Sequence, residues 1–256
     1  MTILDQSLCL LDGISPEAEI RFRRCGVVSC SQLAAEASRY FSPSHAGRIH
    51  ASFAQLRKAA SCGLADWYVN HLPAGHRVRA LLQFLPDVTF YDIETDGISA
   101  TSEITCISAL HGGRLETFVR GRNLEDFLDV WAKTKILVGF NSKRFDTLFV
   151  AKTFGLSNIP AQVDLMDEAR HYGFRRGLKS IEKEIGFPRR HTECADGRDA
   201  IRLWNEYICT GAEDALECLI SYNREDVRSL WHLASILARL SLENTQISSS
   251  WPQTTF

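Results

Sequence analysis

The sequence predicts an α/β protein in which a mixed β-sheet is flanked by helices and preceded by a small all-helical domain. Three observations lead to this prediction. Residues 1–86 place apolar residues at helical spacing between helix-capping patterns. The spacing changes at Asp87, after which β-branched and aromatic residues dominate. Three strand-like segments joined as a meander are then followed by a helix, a strand, a helix, a strand and further helices as far as residue 240, which indicates a mixed sheet with helices on its faces.

The helical domain is predicted over residues 1–86. A serine followed by proline, or by glutamine three residues later, is typical of a helix start, because the serine oxygen accepts a hydrogen bond from a free backbone N–H. Gly26 and Gly63 are expected to end helices, and Pro86 interrupts the last helical segment. The three predicted helix starts are Ser15-Pro16, Ser29-x-x-Gln32 and Ser42-Pro43.

Residues 87–240 are predicted to hold the sheet and its helices. Gly112-Gly113 is expected to form a hairpin turn, and Asn123 is expected to cap the next helix. Residues 241–256 are rich in Ser, Thr and Gln and are expected to form a disordered tail. Strands are predicted at 88–93, 103–110, 115–119, 136–138 and 159–163, and helices after 123, at 149–154, 178–185, 200–209 and 212–219, and in a long segment ending near 240.

Composition excludes several classes of protein. The net charge is −2 and 45% of the residues are hydrophobic, as in an ordinary globular protein rather than a general nucleic-acid coat. No apolar run approaches the roughly 20 residues of a membrane span, and the N-terminus lacks the basic region of a signal peptide, so a cytoplasmic location is expected. The eight cysteines include no Cys-x-x-Cys pair, which favours reduced thiols over a disulfide framework or a zinc site.

Acidic residues at the edges of apolar segments are the candidate functional groups. Asp92 and Glu94 lie at i and i+2 of a predicted strand, so both side chains point to one face. Two like charges in that position repel each other unless a cation lies between them. The alternative is that the strand ends here and that both acids are solvated in the following turn, residues 95–97.

Two further segments each carry an acid at the edge of an apolar stretch. Asp146 follows a short buried strand in the pattern Asn141-x-x-x-Phe145-Asp146, where its alternative role is to cap the following helix. Tyr222 and Asp226 are spaced i and i+4 on one helical face, where the alternative is a half-buried tyrosine beside a first-turn aspartate. Because Mg²⁺ and Mn²⁺ prefer oxygen ligands, converging carboxylates predict a site for such ions.

Together these residues resemble the three exonuclease motifs of the DEDD superfamily, whose fold is ribonuclease H-like. The resemblance covers about residues 87–240. The tyrosine in the third motif is similar to that of the DEDDy branch, which includes proofreading domains of DNA polymerases. Residues 178–186 and 210–226 further resemble a bacterial group of predicted ribonuclease H-like exonucleases, which often carry a helix-hairpin-helix-like region ahead of the nuclease domain.

The resemblance implies a metal-dependent 3′–5′ exonuclease that acts on single-stranded DNA or RNA ends. Asp92, Glu94 and Asp226 would hold one Mg²⁺ or Mn²⁺ ion, and Asp92 would bridge to a second ion supported by Asp146. Tyr222 would orient the attacking water with help from Glu94. Two such ions can hydrolyse a phosphodiester, here with release of 5′-nucleotides.

Several other residues are candidates for substrate contacts. Thr95 and Asp96 follow the first motif, where turn formation is the alternative role. Asn141 either holds the second motif in place or contacts substrate. Asp164 follows a short strand and is interpreted as a helix cap or packing residue rather than a fifth metal ligand.

A basic stretch from Arg170 to His191 interleaves basic and aromatic residues. This pattern suits single-stranded nucleic acid, because phosphate attraction combines with base stacking. Arg175, Arg176 and Lys179 are the candidate contacts within it. The alternative is a solvated helix face.

Residues 10–33 resemble half of a helix-hairpin-helix unit. Ser15 stands where a second glycine is usual, so docking of a protein partner through residues 1–86 remains the alternative to nucleic-acid binding. Two other functions on the same fold also stay open: a catalytically inactive nucleic-acid-binding or docking module, and a structure-specific endonuclease.

Overall fold

The computed structural model describes residues 2–99, 101–190, 197–247 and 251–252. Across these residues, no helix has both the length and the apolarity needed to cross a bilayer. The strands are β1 (Val88–Thr95), β2 (Ile104–His111), β3 (Arg114–Val119), β4 (Ile136–Gly139) and β5 (Ala161–Asp164). The helices are α1 (Pro16–Arg24), α2 (Cys30–Ala35), α3 (Ala37–Tyr40), α4 (Pro43–Cys62), α5 (Ala65–His71), α6 (Val78–Phe84), α7 (Phe127–Lys133), α8 (Asp146–Phe154), α9 (Leu165–His171), α10 (Leu178–Glu184), α11 (Gly197–Thr210) and α12 (Glu213–Asn244).

The strands of the described chain form one mixed sheet in the order β3-β2-β1-β4-β5. β1 pairs antiparallel with β2 and parallel with β4, so it occupies the centre of the sheet. Gly112 and Gly113 connect β2 to β3, and both have positive φ angles, as a two-residue hairpin turn requires. The predicted mixed sheet flanked by helices is confirmed.

Local capping patterns start the helices of the N-terminal region. The hydroxyls of Ser15, Ser29 and Ser42 each accept a hydrogen bond from the backbone N–H three residues later, as predicted. The predicted cap at Asn123 was wrong. Its side-chain oxygen instead accepts a hydrogen bond from the Val119 N–H, at the end of β3.

The two faces of the sheet are covered by different helices. Val88 and Phe90 belong to a core that includes the second half of α12, whereas Tyr91 and Ile93 pack with α7 and α8. Since successive side chains of a strand alternate between faces, Asp92 and Glu94 lie on the same face as Phe90. The acids of β1 therefore face α12.

α12 is one continuous helix of 32 residues. The sequence interpretation divided this region into separate helices and began a disordered tail at residue 241, and both points were wrong. The segment contains no glycine or proline, and its apolar residues stay buried along its length, so nothing interrupts the helix. Residues 241–244 belong to it, while residues 248–250 and 253–256 of the predicted tail lie outside the described part of the chain.

The N-terminal helices share their core with the sheet. Leu33 of α2 and Leu81 of α6 belong to the same buried cluster as Val138 of β4 and Leu237 of α12. The boundary at residue 86 therefore marks a change from helices to a mixed sheet, but the apolar core continues across it. Independent folding of residues 1–86 and the helix-hairpin-helix resemblance stay predictions.

A buried polar network joins the N-terminal helices to the end of α12. The Arg79 guanidinium pairs with Glu19 at 2.9 Å, and neither side chain is exposed to solvent. Arg79 also donates hydrogen bonds to the hydroxyls of Ser241 (2.9 Å) and Thr245 (2.8 Å). Burial and the neighbouring Arg79 charge lower the pKa of His76, which contacts Ser241, to about 3. These contacts fasten the last turn of α12, beyond residue 240, to the N-terminal helices.

Replacing Arg79 tests this connection. We expect Arg79→Met to lower the free energy of unfolding by about 3 kcal/mol, because the buried Glu19 would lose its closest cationic partner and keep only the longer pair with Arg23 at 3.5 Å. The measurement is urea unfolding followed by circular dichroism. The double variant Glu19→Gln with Arg79→Met should recover part of the loss.

Arg39→Met is the matched control, because Arg39 is 74% exposed and should change stability by less than about 0.5 kcal/mol. An equally small effect of Arg79→Met would show that the network does not connect the two regions energetically.

Candidate active site

The first motif lies on the central strand. Asp92 pairs with Ser108 and Glu94 with Cys106 in the β1–β2 ladder, and β1 continues to Thr95. Both acids therefore belong to the hydrogen-bonded strand, which excludes the alternative that they lie in the following turn. Their position on one face was predicted from their spacing.

α12 carries the third motif to these acids. Oxygens of Asp92, Glu94 and Asp226 all lie within 4.8 Å of one another. The Asn223 side-chain amide donates a hydrogen bond of 2.8 Å to Asp92, and Asn223 is fully buried. Residues 92 and 226 are far apart in sequence, so the packing of α12 on the sheet creates this cluster.

Asp146 lies beside the cluster at the first residue of α8. Its carboxylate accepts a hydrogen bond of 3.3 Å from the Ile93 N–H on β1. Asp146 is the first helical residue of α8 and Phe145 occupies the N-cap position, so Asp146 is not the residue that caps the helix. The second motif thus reaches the strand that carries the first.

Asp164 holds the second motif in place. Its carboxylate accepts hydrogen bonds from the backbone N–H groups of Asn141 (2.8 Å) and Lys143 (3.3 Å). It also accepts one from Met166 (3.0 Å) and so caps α9, as predicted. Asn141 has a φ of 60°, a left-handed conformation that asparagine tolerates better than most residues. This geometry supports a structural role for Asn141 in the loop.

Burial and neighbouring negative charges raise the pKa values of the clustered carboxylates. Burial, followed by the charges of Asp226 and Asp146, raises the pKa values of Asp92 and Glu94 well above their usual range. Burial also raises the pKa of Asp146 to about 7, and the charges of Asp164 and Asp226 add to that shift. Such a site is electrostatically unfavourable without a cation, and its oxygen ligands fit a hard divalent ion.

Two basic side chains face the acids. Lys179, at the start of α10, hydrogen-bonds the Tyr222 hydroxyl and lies 4.1 Å from the centre of its ring. Arg189 forms an ion pair with Asp226 and a two-contact ion pair with Glu182. Burial and the nearby acids raise the pKa of Tyr222, and burial raises the pKa of Asp226 although Arg189 opposes that shift.

The other predicted substrate residues lie in turns. The Thr95 hydroxyl donates to the Gly97 carbonyl, and Asp96 pairs with Arg120 at 2.9 Å, so both hold the β1–β2 turn together. Arg175 and Arg176 are exposed between α9 and α10. His191, at the end of the predicted basic stretch, lies outside the described residues.

Sequence reasoning missed three residues of this site. Asn223 could have been found from the sequence. It is adjacent to Tyr222 and three residues before Asp226, and this helical spacing puts it on the same side of α12 as Asp226. Arg189 and Glu182 stood in the basic stretch, but nothing in their spacing distinguished them from a solvated helix face.

The mixed sheet, its helices and the acidic cluster define a ribonuclease H-like α/β protein. A family model of the RNase H superfamily matches residues 89–238, more than half of the chain, and the chain belongs to that superfamily. No protein of curated function matches the sequence.

A similar solved structure is that of the family B DNA polymerase from the hyperthermophilic archaeon Pyrobaculum calidifontis. The similarity has a TM-score of 0.44 at 18% sequence identity and covers 62% of this chain. The chain matches only 26% of the length of that polymerase.

Replacing one acid tests the electrostatic description. In EDTA, we expect Asp92→Asn to raise the thermal unfolding midpoint by about 2–4 °C, because it removes one of the repelling charges while Asn223 keeps a hydrogen-bond acceptor. Adding Mn²⁺ should raise the midpoint of the unmodified protein and leave that of Asp92→Asn nearly unchanged. Differential scanning fluorimetry measures both effects.

Asp129→Asn is the control, because Asp129 is an exposed acid on α7. A lower midpoint for Asp92→Asn in EDTA, together with an undiminished response to Mn²⁺, would contradict a carboxylate cluster that needs a cation.

Proposed function

We propose that the protein is a metal-dependent 3′–5′ exonuclease of the DEDDy type, acting on single-stranded DNA or RNA ends. The observation that carries the proposal is the convergence of Asp92, Glu94 and Asp226 within 4.8 Å, with Asp146 and Tyr222 beside them. Membership of the RNase H superfamily supports nuclease activity in general. The likeness to the bacterial exonuclease group belongs to the same proposal.

The residues present fit two divalent cations. Asp92, Glu94 and Asp226 would hold one Mg²⁺ or Mn²⁺ ion, and Asp92 and Asp146 would support the second. Bound ions of this kind activate water and stabilise negative charge on the phosphate and the leaving oxygen. The raised pKa values of Asp92, Glu94 and Asp146 support this fit, because a cation removes their mutual repulsion.

The chain's own groups would position the reactants. The Tyr222 hydroxyl, held by Lys179, would orient the attacking water with help from Glu94. The water oxygen bonds to phosphorus as the bond from phosphorus to the 3′ oxygen breaks, and a proton passes to that 3′ oxygen. The products are a 5′-nucleotide and a strand shortened by one residue with a free 3′ hydroxyl.

The substrate would reach the site along basic side chains. Arg175 and Arg176 are exposed in the turn that precedes Lys179, where they can attract phosphates. Thr95 and Asp96 are proposed to contact the terminal nucleotide. Residues 1–86 are proposed to bind either nucleic acid or a protein partner, and a cytoplasmic location is proposed from the sequence.

One observation favours a second candidate, a catalytically inactive nucleic-acid-binding or docking module. The guanidinium of Arg189 pairs with Asp226, so a cationic side chain already partly neutralises the cluster. The presence of all four acids and the tyrosine supports the exonuclease instead.

A 5′-labelled single-stranded oligonucleotide with Mn²⁺ separates these functions. We expect a ladder that shortens from the 3′ end, seen by denaturing electrophoresis, and no cleavage in EDTA. A single internal cut would support a structure-specific endonuclease, and binding without cleavage would support the inactive module. Running DNA, RNA and recessed duplex ends in parallel identifies the substrate class.

Three variants test the assigned roles. Asp92→Ala and Asp226→Ala should abolish cleavage, because each removes a ligand of the proposed ions. Tyr222→Phe should lower kcat by about 10- to 100-fold, because it removes one hydrogen-bonding group that orients water. Circular dichroism checks that each variant is folded. Wild-type turnover in either aspartate variant would overturn the assignment.

A further inference from the structure

Arg189 contacts two carboxylates, and neutralisation of the metal-site acids does not by itself explain both contacts. Its Nε and Nη2 atoms lie 2.6 and 2.7 Å from the two carboxylate oxygens of Glu182, and Nη2 also contacts Asp226. The Glu182 side chain is only 4% exposed, and that of Arg189 is 15% exposed. A guanidinium that already has a buried carboxylate partner is therefore directed at the proposed metal centre.

The surrounding backbone fixes this position. Gly186 has a φ of 70° and ends α10, and the Phe187 N–H donates to the Glu182 carbonyl at 2.8 Å. The Arg190 N–H donates to the buried carboxylate of Glu225 on α12 at 3.2 Å. Arg189 is thus held from both sides, by α10 and by α12, so the fold itself directs it toward the acids.

One hydrogen-bond donor of the Arg189 guanidinium is not used by Glu182 or Asp226. Its Nη1 atom is buried and has no hydrogen-bond partner among the described residues. A buried donor without a partner is unfavourable, and a guanidinium matches the paired oxygens of a phosphate. The Arg189 guanidinium carbon lies 5.7 Å from the centre of the Tyr222 ring, so the guanidinium lies beside the side chain of the proposed water-orienting group.

Charge balance points to the same ligand. Two divalent cations would neutralise Asp92, Glu94, Asp146 and Asp226. Glu182 neutralises one of the two basic side chains, Lys179 and Arg189. Lys179 and Arg189 together then keep one positive charge on their side of the site, available to a phosphodiester, while the buried Asp164 adds a negative charge beside Asp146.

We propose that Arg189, positioned by Glu182, contacts the non-bridging oxygens of the scissile phosphate. The inference rests on the proposed exonuclease function and adds a substrate-contacting residue to it. In the metal-free site the same guanidinium pairs with Asp226, so Arg189 competes with cations for that carboxylate. Glu182 is a positioning residue that keeps Arg189 at the site when cations occupy Asp226.

The test compares Arg189→Met and Arg189→Lys with Arg239→Met in the full chain. Arg239 is a suitable control, because it is 65% exposed and lies thirteen residues beyond Asp226, about 20 Å along α12. We expect Arg189→Met to lower kcat/KM for a single-stranded oligonucleotide by about 100-fold, Arg189→Lys to lower it less, and Arg239→Met to change it less than twofold. Glu182→Gln should lower it by about 10-fold, since Gln offers Arg189 a single oxygen.

Two further measurements separate substrate contact from support of the metal ligands. The rise of the thermal midpoint with Mn²⁺ should be retained or larger in Arg189→Met, because a competitor for Asp226 is removed. A phosphorothioate at the terminal linkage should slow Arg189→Met less than it slows the unmodified protein, because the altered oxygen has already lost its partner.

The outcomes are distinct. If the unmodified protein does not cleave the oligonucleotide, the proposed function fails. If it cleaves and folded Arg189→Met cleaves at a similar rate, only the role of Arg189 is overturned. Loss of both cleavage and the Mn²⁺ response in Arg189→Met and Arg189→Lys would also overturn it, because Arg189 would then only organise the metal ligands.

Discussion

Electrostatic repulsion between carboxylates is the constraint on which this structure depends. The fold holds Asp92, Glu94 and Asp226 together although burial and the charge of Asp226 raise the pKa values of both Asp92 and Glu94. Apolar packing opposes this repulsion. β1 is paired on both sides within the sheet, and α12 is buried along its length against the sheet and the N-terminal helices. The free energy of that packing keeps the acids in place.

Polar contacts then set the position of each element more finely. Asn223 joins α12 directly to Asp92, and Asp164 joins the second motif to the start of α9. At the far end of α12, the buried Arg79 network connects the helix to the N-terminal region. Residues 1–86 therefore help to position the helix that carries Tyr222 and Asp226, whatever else they bind.

The basic groups come from the segment between α9 and α11. Lys179 and Arg189 of this segment contact Tyr222 and Asp226, whereas the acids come from β1, α8 and α12. The site therefore has an acidic side, formed by the carboxylates, and a basic side, formed by Lys179 and Arg189. The acidic side suits divalent cations and the basic side suits a phosphate, because the charges are opposite.

The sequence by itself determined the local features. The spacing of Asp92 and Glu94 on a strand, the spacing of Tyr222 and Asp226 on a helix, and the serine caps were all predicted, because each depends on residues within a few positions of one another. Only the tertiary structure decided which other groups meet them. Arg189 contacts a residue 37 positions away and Asn223 one 131 positions away, and Arg79 contacts the end of α12 across more than 160 positions. Local periodicity carries no information about such contacts, since they arise only when distant elements pack together.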